Sequence, residues 1–72
     1  MQIKKPIYNR IKAALADTKK SSKWLAEKLN KDKSTVSRWC SNDMQPTLET
    51  IFDIAELLNM SPRDLLSDGS HK

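Results

Sequence analysis

A chain of 72 residues with a formal charge of +4 forms one domain, buries only roughly 60% of its unfolded surface, and has little room for a deep substrate cavity. Its single cysteine, Cys40, excludes an intramolecular disulfide, and with one histidine, His71, it cannot build a Cys/His zinc site. No apolar run approaches the roughly 20 residues of a membrane span, and MQIKKPIYNR lacks the apolar core of a signal peptide; the expectation is a soluble protein of the reducing cytoplasm that uses no metal or cofactor.

The net charge hides an asymmetry. Residues 1–40 hold eleven Lys/Arg against three acids, whereas residues 41–72 hold two against six. A basic half beside an acidic half suits a polyanion on one face and something else on the other. Solvated lysines that serve solubility alone are the plainer reading.

One glycine, at position 69, and apolar residues at three- and four-residue spacing predict an all-α domain. The first helix is expected from Ile7 or Tyr8 to Asp17, with Pro6 in its first turn and Ile11, Ala14 and Leu15 facing inward. Ser21 caps the second helix, which carries Leu25, Ala26 and Leu29 and ends at Asn30 in the left-handed conformation. Asp32 caps the third. Thr47 caps the fourth, in which Leu48, Ile51, Ile54, Ala55 and Leu58 form an apolar stripe up to Asn59. The run SPRD opens a short fifth helix holding Leu65 and Leu66. Residues 1–6 read as an arm, 7–66 as the domain and 67–72 as a tail.

The second and third helices, joined by about three residues, make the unit SKWLAEKLNKDKSTVSRWCS. Leu25, Leu29, Val36 and Trp39 fall where two crossing helices bury side chains, and Ala26 is small at their approach. Within DKSTVSRWCSN, at 100° per residue, Lys33, Ser37, Ser34 and Arg38 span an arc of about 140°, and Val36 and Trp39 lie opposite. Such a helix fits the major groove of B-DNA, where Lys and Arg donate to guanine O6 and N7 and serine pairs with several base edges.

With SSKWLAEKL, STVSRW and PTLETIFDIAELLNMS, the chain resembles the Xre family, the phage-repressor and Cro type of helix-turn-helix protein, over about Asn9 to Leu66. The resemblance implies a compact five-helix, lambda-repressor-like fold. It implies base reading from Lys33, Ser34, Ser37 and Arg38, with Thr35 at the rim, and phosphate contacts from Ser21, Ser22 and Lys23 on one side of the reading helix and Ser41 and Asn42 on the other. Where many relatives have glutamine this chain has Ser22, too short to brace the reading helix. Where relatives pair an arginine with a glutamate it has Leu15 and Cys40, which suggests a hydrophobic contact and makes Cys40 a packing residue rather than a redox sensor. Trp24 stands where relatives are polar; it either packs on Ile3 or Ile7 or touches the DNA backbone or a partner protein.

A module this small reads few base pairs, so a homodimer on a palindromic double-stranded site is expected, with Phe52, Leu57, Met60 and Leu66 as its interface. Covering the core of a monomer is their plainer role. The leading expectation is a transcriptional regulator, most simply a repressor; controller proteins of restriction-modification systems have this length too. The alternative is an antitoxin that binds a toxin protein and represses its own operon. An enzyme is the weakest reading, since Asp17, Glu27, Asp32 and Asp43 form no acid/base or metal spacing.

Overall fold

In the computed structural model, residues 7–67 are described. They form four α-helices, α1 (Ile11–Asp17), α2 (Ser22–Leu29), α3 (Lys33–Cys40) and α4 (Leu48–Leu58), followed by a 3-10 helix, Pro62–Leu65. None of the described helices is long and apolar enough to cross a membrane.

Helix α1 begins at Ile11, later than expected, because the residues before it are used differently. Asn9 makes an antiparallel bridge with Leu66. The Arg10 amide donates to the Leu65 carbonyl at 2.8 Å and the Ser67 amide to the Tyr8 carbonyl at 2.9 Å, so residues 8–10 pair with 65–67 instead of joining the helix. The Asn9 side-chain oxygen then accepts from the Ile11 amide at 3.0 Å, satisfying a first-turn donor. Pro6 lies outside the described residues.

The expected fifth α-helix is the 3-10 helix. Only Pro62 to Leu65 intervene between Ser61, whose hydroxyl oxygen accepts from the Arg63 amide at 3.4 Å, and Leu66, whose backbone turns back to Asn9. The Leu66 amide reaches the Arg63 carbonyl three residues earlier at 3.1 Å. That tighter winding suits one short turn.

All four α-helices end alike. A residue with positive φ follows each: Lys19 (59°), Asn30 (56°), Asn42 (62°) and Asn59 (57°). The next residue's amide reaches back five positions, as from Lys20 to Leu15 and Lys31 to Ala26, or Asp43 to Arg38 and Met60 to Ala55. This closure favours glycine; with Gly69 the one glycine of the chain, asparagine takes the left-handed position three times and lysine once. At the N-termini, Ser21 and Thr47 accept from the Trp24 and Thr50 amides. Asp32 holds the same position before α3 but makes no side-chain capping bond, a correction to its expected role.

The core contains Ile11, Ala14 and Leu15 of α1, Leu25 and Ala26 of α2, Val36 and Trp39 of α3, then Ile51, Ile54, Ala55 and Leu58 of α4 with Leu65. Leu29 and Trp24 are half-buried against it. Leu48 departs from the expected stripe and is 66% exposed; at 100° per residue it lies at the edge of the stripe, 40° from the exposed Phe52. Leu65 is fully buried and Leu66 is exposed, since only the former points inward from the final turn.

Candidate nucleic-acid interface

Helix α3 is oriented by its buried side. Val36 and Trp39 are core residues, and Leu25 and Ala26 of α2 are buried in the same cluster. The opposite arc follows from the helical period: Lys33, Ser34, Ser37 and Arg38 are all exposed, with Thr35 half-buried at the rim. Neither Lys33 nor Arg38 makes an ion pair with a described residue. Two cations and two hydroxyls therefore stand together on a rigid element with their donors unspent.

On one side of this arc lies the start of α2. Ser21, Ser22 and Lys23 are exposed. The Ser21 hydroxyl oxygen is the helix cap, accepting from the Trp24 amide at 3.0 Å, so the amides of Ser22 and Lys23 are the first-turn donors left without helical partners. They sit at the positive end of the helix dipole, which favours an anion.

On the other side, Ser41 is exposed, and its hydroxyl donates to the Asp43 carboxylate at 2.8 Å. Asn42 is placed otherwise than expected. Its side-chain oxygen accepts from the amides of Tyr8 and Asn9 at 2.9 and 3.0 Å and from the Gln45 amide group at 3.2 Å, and its nitrogen donates to the Asn9 carbonyl at 3.2 Å. These exposed and part-buried bonds fasten the end of α3 to the N-terminal segment, so the Asn42 side chain is engaged within the fold.

Asn9 completes that fastening and was not singled out from sequence. It is 3% exposed, and its amide group donates to the Trp39 carbonyl at 2.9 Å and to the Gln45 side chain at 2.7 Å. No buried side-chain nitrogen or oxygen among the described residues lacks a hydrogen-bond partner. An asparagine two residues before the first buried position of α1 was the available signal.

Between α1, the start of α2 and the end of α3 runs an open groove. Leu15 and Cys40 both line it, with the serines Ser22, Ser37 and Ser41 and the cations Lys12 and Lys20. Cys40 is half-buried against the core; burial pushes its thiol pKa up, and the nearby positive charge of Lys12 opposes that only in part. A raised pKa suits a packing thiol rather than a reactive one. The Lys20 ammonium lies 4.8 Å from the centroid of the Trp24 ring, a cation–π contact. Ile3, one of the residues expected to cover Trp24, lies outside the described residues.

The residues expected to meet a second copy do not form one surface. Phe52 and Leu57 are 55% and 37% exposed, but at 100° per residue they are about 140° apart around α4. Phe52 instead shares a flank with Leu48. Met60 is half-buried against the core, and it and the exposed Leu66 line a shallow groove beside Ala13 and Ala14 of α1. Among the described residues no three His, Cys, Asp or Glu side chains are grouped to hold a metal ion, and His71 lies outside them.

The comparisons agree with this geometry. A helix-turn-helix family model matches residues 11–65, the span from the start of α1 to the end of the 3-10 helix. The crystal structure of a candidate DNA-binding protein from Bacteroides fragilis superposes with a TM-score of 0.83 at 48% identity, covering 83% of this chain and 97% of that one. No curated protein matches. A family model spanning every helix, with a relative of near-half identity, shows that this chain belongs to the Xre-type helix-turn-helix family of DNA-binding regulators.

Proposed function

We propose that this protein reads a specific double-stranded DNA sequence with α3 in the major groove and acts as a dimeric transcriptional repressor, occluding a promoter. One observation carries the reading: Lys33, Ser34, Ser37 and Arg38 share one exposed arc of a helix whose other side is locked into the core by Val36 and Trp39. Arg38 and Lys33 supply donors to guanine edges, the two serines adapt to either partner, and Thr35 offers its methyl at the rim. Ser21, Ser22 and Lys23 on one side, and Ser41 on the other, set the register against the phosphates. Asn42 contributes by holding the end of α3 in place.

Dimerisation follows from size, because one such module gives too little specific affinity alone. Leu57, Leu66 and Met60 near the C-terminus, or Phe52 on the opposite flank of α4, would be covered by the second copy, with half-sites about 10 bp apart. Selection from random duplexes at near-physiological salt tests the reading. An enriched palindrome is expected, and weak, salt-sensitive binding without an enriched site would overturn it.

A second reading has one observation in its favour. Leu48 and Phe52 are exposed on the flank of α4 that also bears Glu56, an apolar surface that base reading does not use. An antitoxin that binds a toxin protein and represses its own operon would use both surfaces. Co-purification of a second small protein with the chain from its own host would favour that reading.

A further inference from the structure

The last turn of α3 is held from outside the helix. The final carbonyls of a helix lack partners within it. Here the Ser37 carbonyl takes the Ser41 amide at 3.1 Å, and the Arg38 carbonyl takes the amides of Asp43 and Met44 at 2.9 and 3.3 Å. The Trp39 carbonyl takes the Asn42 amide at 3.1 Å and the Asn9 side chain at 2.9 Å. Each of these donors lies just after α3 except Asn9, which lies before α1.

Position 9 needs both halves of an amide. The oxygen accepts from the Ile11 amide at 3.0 Å, a capping role that serine or aspartate fills as well. The nitrogen is what reaches α3, giving one hydrogen to the Trp39 carbonyl and the other to the Gln45 side chain at 2.7 Å. Among short side chains only asparagine accepts at one atom and donates twice at another. Asn9 is buried with both atoms engaged, and a buried network so satisfied rigidifies what it joins. The residue is anchored on its other sides too. Its backbone bridges Leu66, and its own amide and carbonyl meet the Asn42 side chain at 3.0 and 3.2 Å.

What this arrangement locates is half of the reading arc. Ser37 and Arg38 stand in the last turn of α3, Lys33 and Ser34 in the first. The side chains of Val36 and Trp39 hold the helix to the core by apolar burial, which is non-directional; a hydrogen bond to the Trp39 carbonyl fixes rotation and axial position as well. A bidentate contact from arginine to guanine O6 and N7 requires that precision, because a recognition group works only within about 0.5 Å and 10–20° of its productive geometry.

We infer that Asn9 is a positioning residue for sequence reading: by holding the Trp39 carbonyl it sets the last turn of α3 so that Arg38 meets its base, and it contributes specificity without touching DNA. The inference rests on the DNA-reading function proposed above and adds to it a residue outside the helix-turn-helix unit.

The test uses Asn9→Ser in the full chain, which keeps an oxygen for the α1 cap but is too short to reach α3, at a temperature where circular dichroism shows it folded. Affinities are measured for the selected duplex, a random duplex and single-base variants of the selected site. A purely structural Asn9 would alter only the folded fraction and scale every affinity equally. Positioning is expected to show as a loss of discrimination of roughly tenfold, within the range of one good bidentate contact, at the base pair where Arg38→Ala relaxes choice. Binding to the random duplex, and discrimination at the pair where Lys33→Ala acts, are expected to stay as in the wild type. In an Arg38→Ala background, Asn9→Ser is expected to cost nothing further. Equal losses on every duplex, or a full additional loss in that background, would overturn the inference. Should Asn9→Ser fail to fold, Gln45→Ala at an exposed position removes the second partner of the same nitrogen and is expected to relax the same base pair by a smaller factor; unaltered discrimination there would overturn the inference in its turn. Wild-type protein that selects no duplex defeats the DNA-reading function itself, whereas a selected duplex discriminated equally well by Asn9→Ser defeats only the positioning role.

Discussion

The side-chain amide of Asn9 donates to the backbone carbonyl of Trp39 at 2.9 Å, joining the segment before α1 to the last turn of α3 across thirty residues. Trp39 anchors the reading helix in the core, so this bond fixes where the helix ends as well as how it packs. Asn9→Ala removes that donor and the acceptor for the Ile11 amide, leaving buried groups unpaired at a cost of about 1–3 kcal/mol. In a domain of this size each kcal/mol lowers the midpoint by roughly 4–8 °C. Thermal melts followed by circular dichroism measure it, and an unaltered midpoint would show that water replaces both partners.

Asn42→Gly separates the two roles open to Asn42. Glycine keeps the positive φ of 62° but loses the side chain that accepts from Tyr8, Asn9 and Gln45. The expected result is a loss of stability on the order of 1 kcal/mol per interaction removed, with the affinity of the folded protein for selected and random duplexes unchanged. Weaker binding to both duplexes at an unaltered salt slope, since a neutral amide releases no counterion, would restore Asn42 to the phosphate contacts.

Lys19 holds a left-handed conformation that costs a β-carbon-bearing residue about 1–2 kcal/mol, at a helix end where glycine is the usual choice. Asparagine tolerates the same conformation better, so Asn30, Asn42 and Asn59 carry less strain. Lys19→Gly is expected to stabilise the domain by about 1 kcal/mol, partly offset by the greater freedom of glycine in the unfolded chain. Chemical denaturation gives the number; a lower midpoint would mean that the Lys19 side chain contributes contacts worth more than the strain.

How much of this was legible beforehand depends on how local the cause is. The buried positions of α2, α3 and α4 follow from three- and four-residue spacing, and Ser21, Thr47 and Asn30 carry local signals that the hydrogen bonds reproduce. The start of α1 was obscured because Ile7 lies four residues before Ile11 and extends the helical pattern. What removes residues 7–9 from the helix is pairing with Leu65 to Ser67, nearly sixty residues away, which leaves no local trace. The Asn9, Asn42 and Gln45 network is hidden for the same reason. Leu48 misleads differently: its phase on α4 adjoins the apolar stripe but lies at its edge beside Phe52, and both are exposed. For the reading arc, phase alone placed Lys33, Ser34, Ser37 and Arg38 on one exposed side, whereas the groove lined by Lys12 and Lys20 needs the packing of three helices.

Arg38 and Lys23 are expected to fail in different ways. Arg38→Ala removes a base-edge donor and should weaken binding to the selected duplex by about 1–3 kcal/mol while relaxing base choice at one position. Lys23→Ala removes charge at the start of α2 and should weaken selected and random duplexes alike, with a salt slope lower by about 0.9. Competition binding against single-base variants of the selected site distinguishes them. Equal losses on specific and random DNA for Arg38→Ala would take Arg38 out of the reading set.

Cys40 gives a pH dependence with a definite sign. Burial raises its thiol pKa in the folded state, with the positive charge of Lys12 opposing the rise. The folded chain therefore holds its proton to higher pH than the unfolded chain does. Below the ordinary thiol pKa both states are protonated and the contribution is fully present; above it the unfolded thiol ionises first, and stability falls as pH rises through the folded-state value. Cys40→Ala lacks that term, so denaturation midpoints measured from neutral to alkaline pH should fall more steeply for the wild type than for the variant. Parallel profiles would mean that the thiol meets water as freely in the folded chain as in the unfolded one, and that the end of α3 opens at the groove.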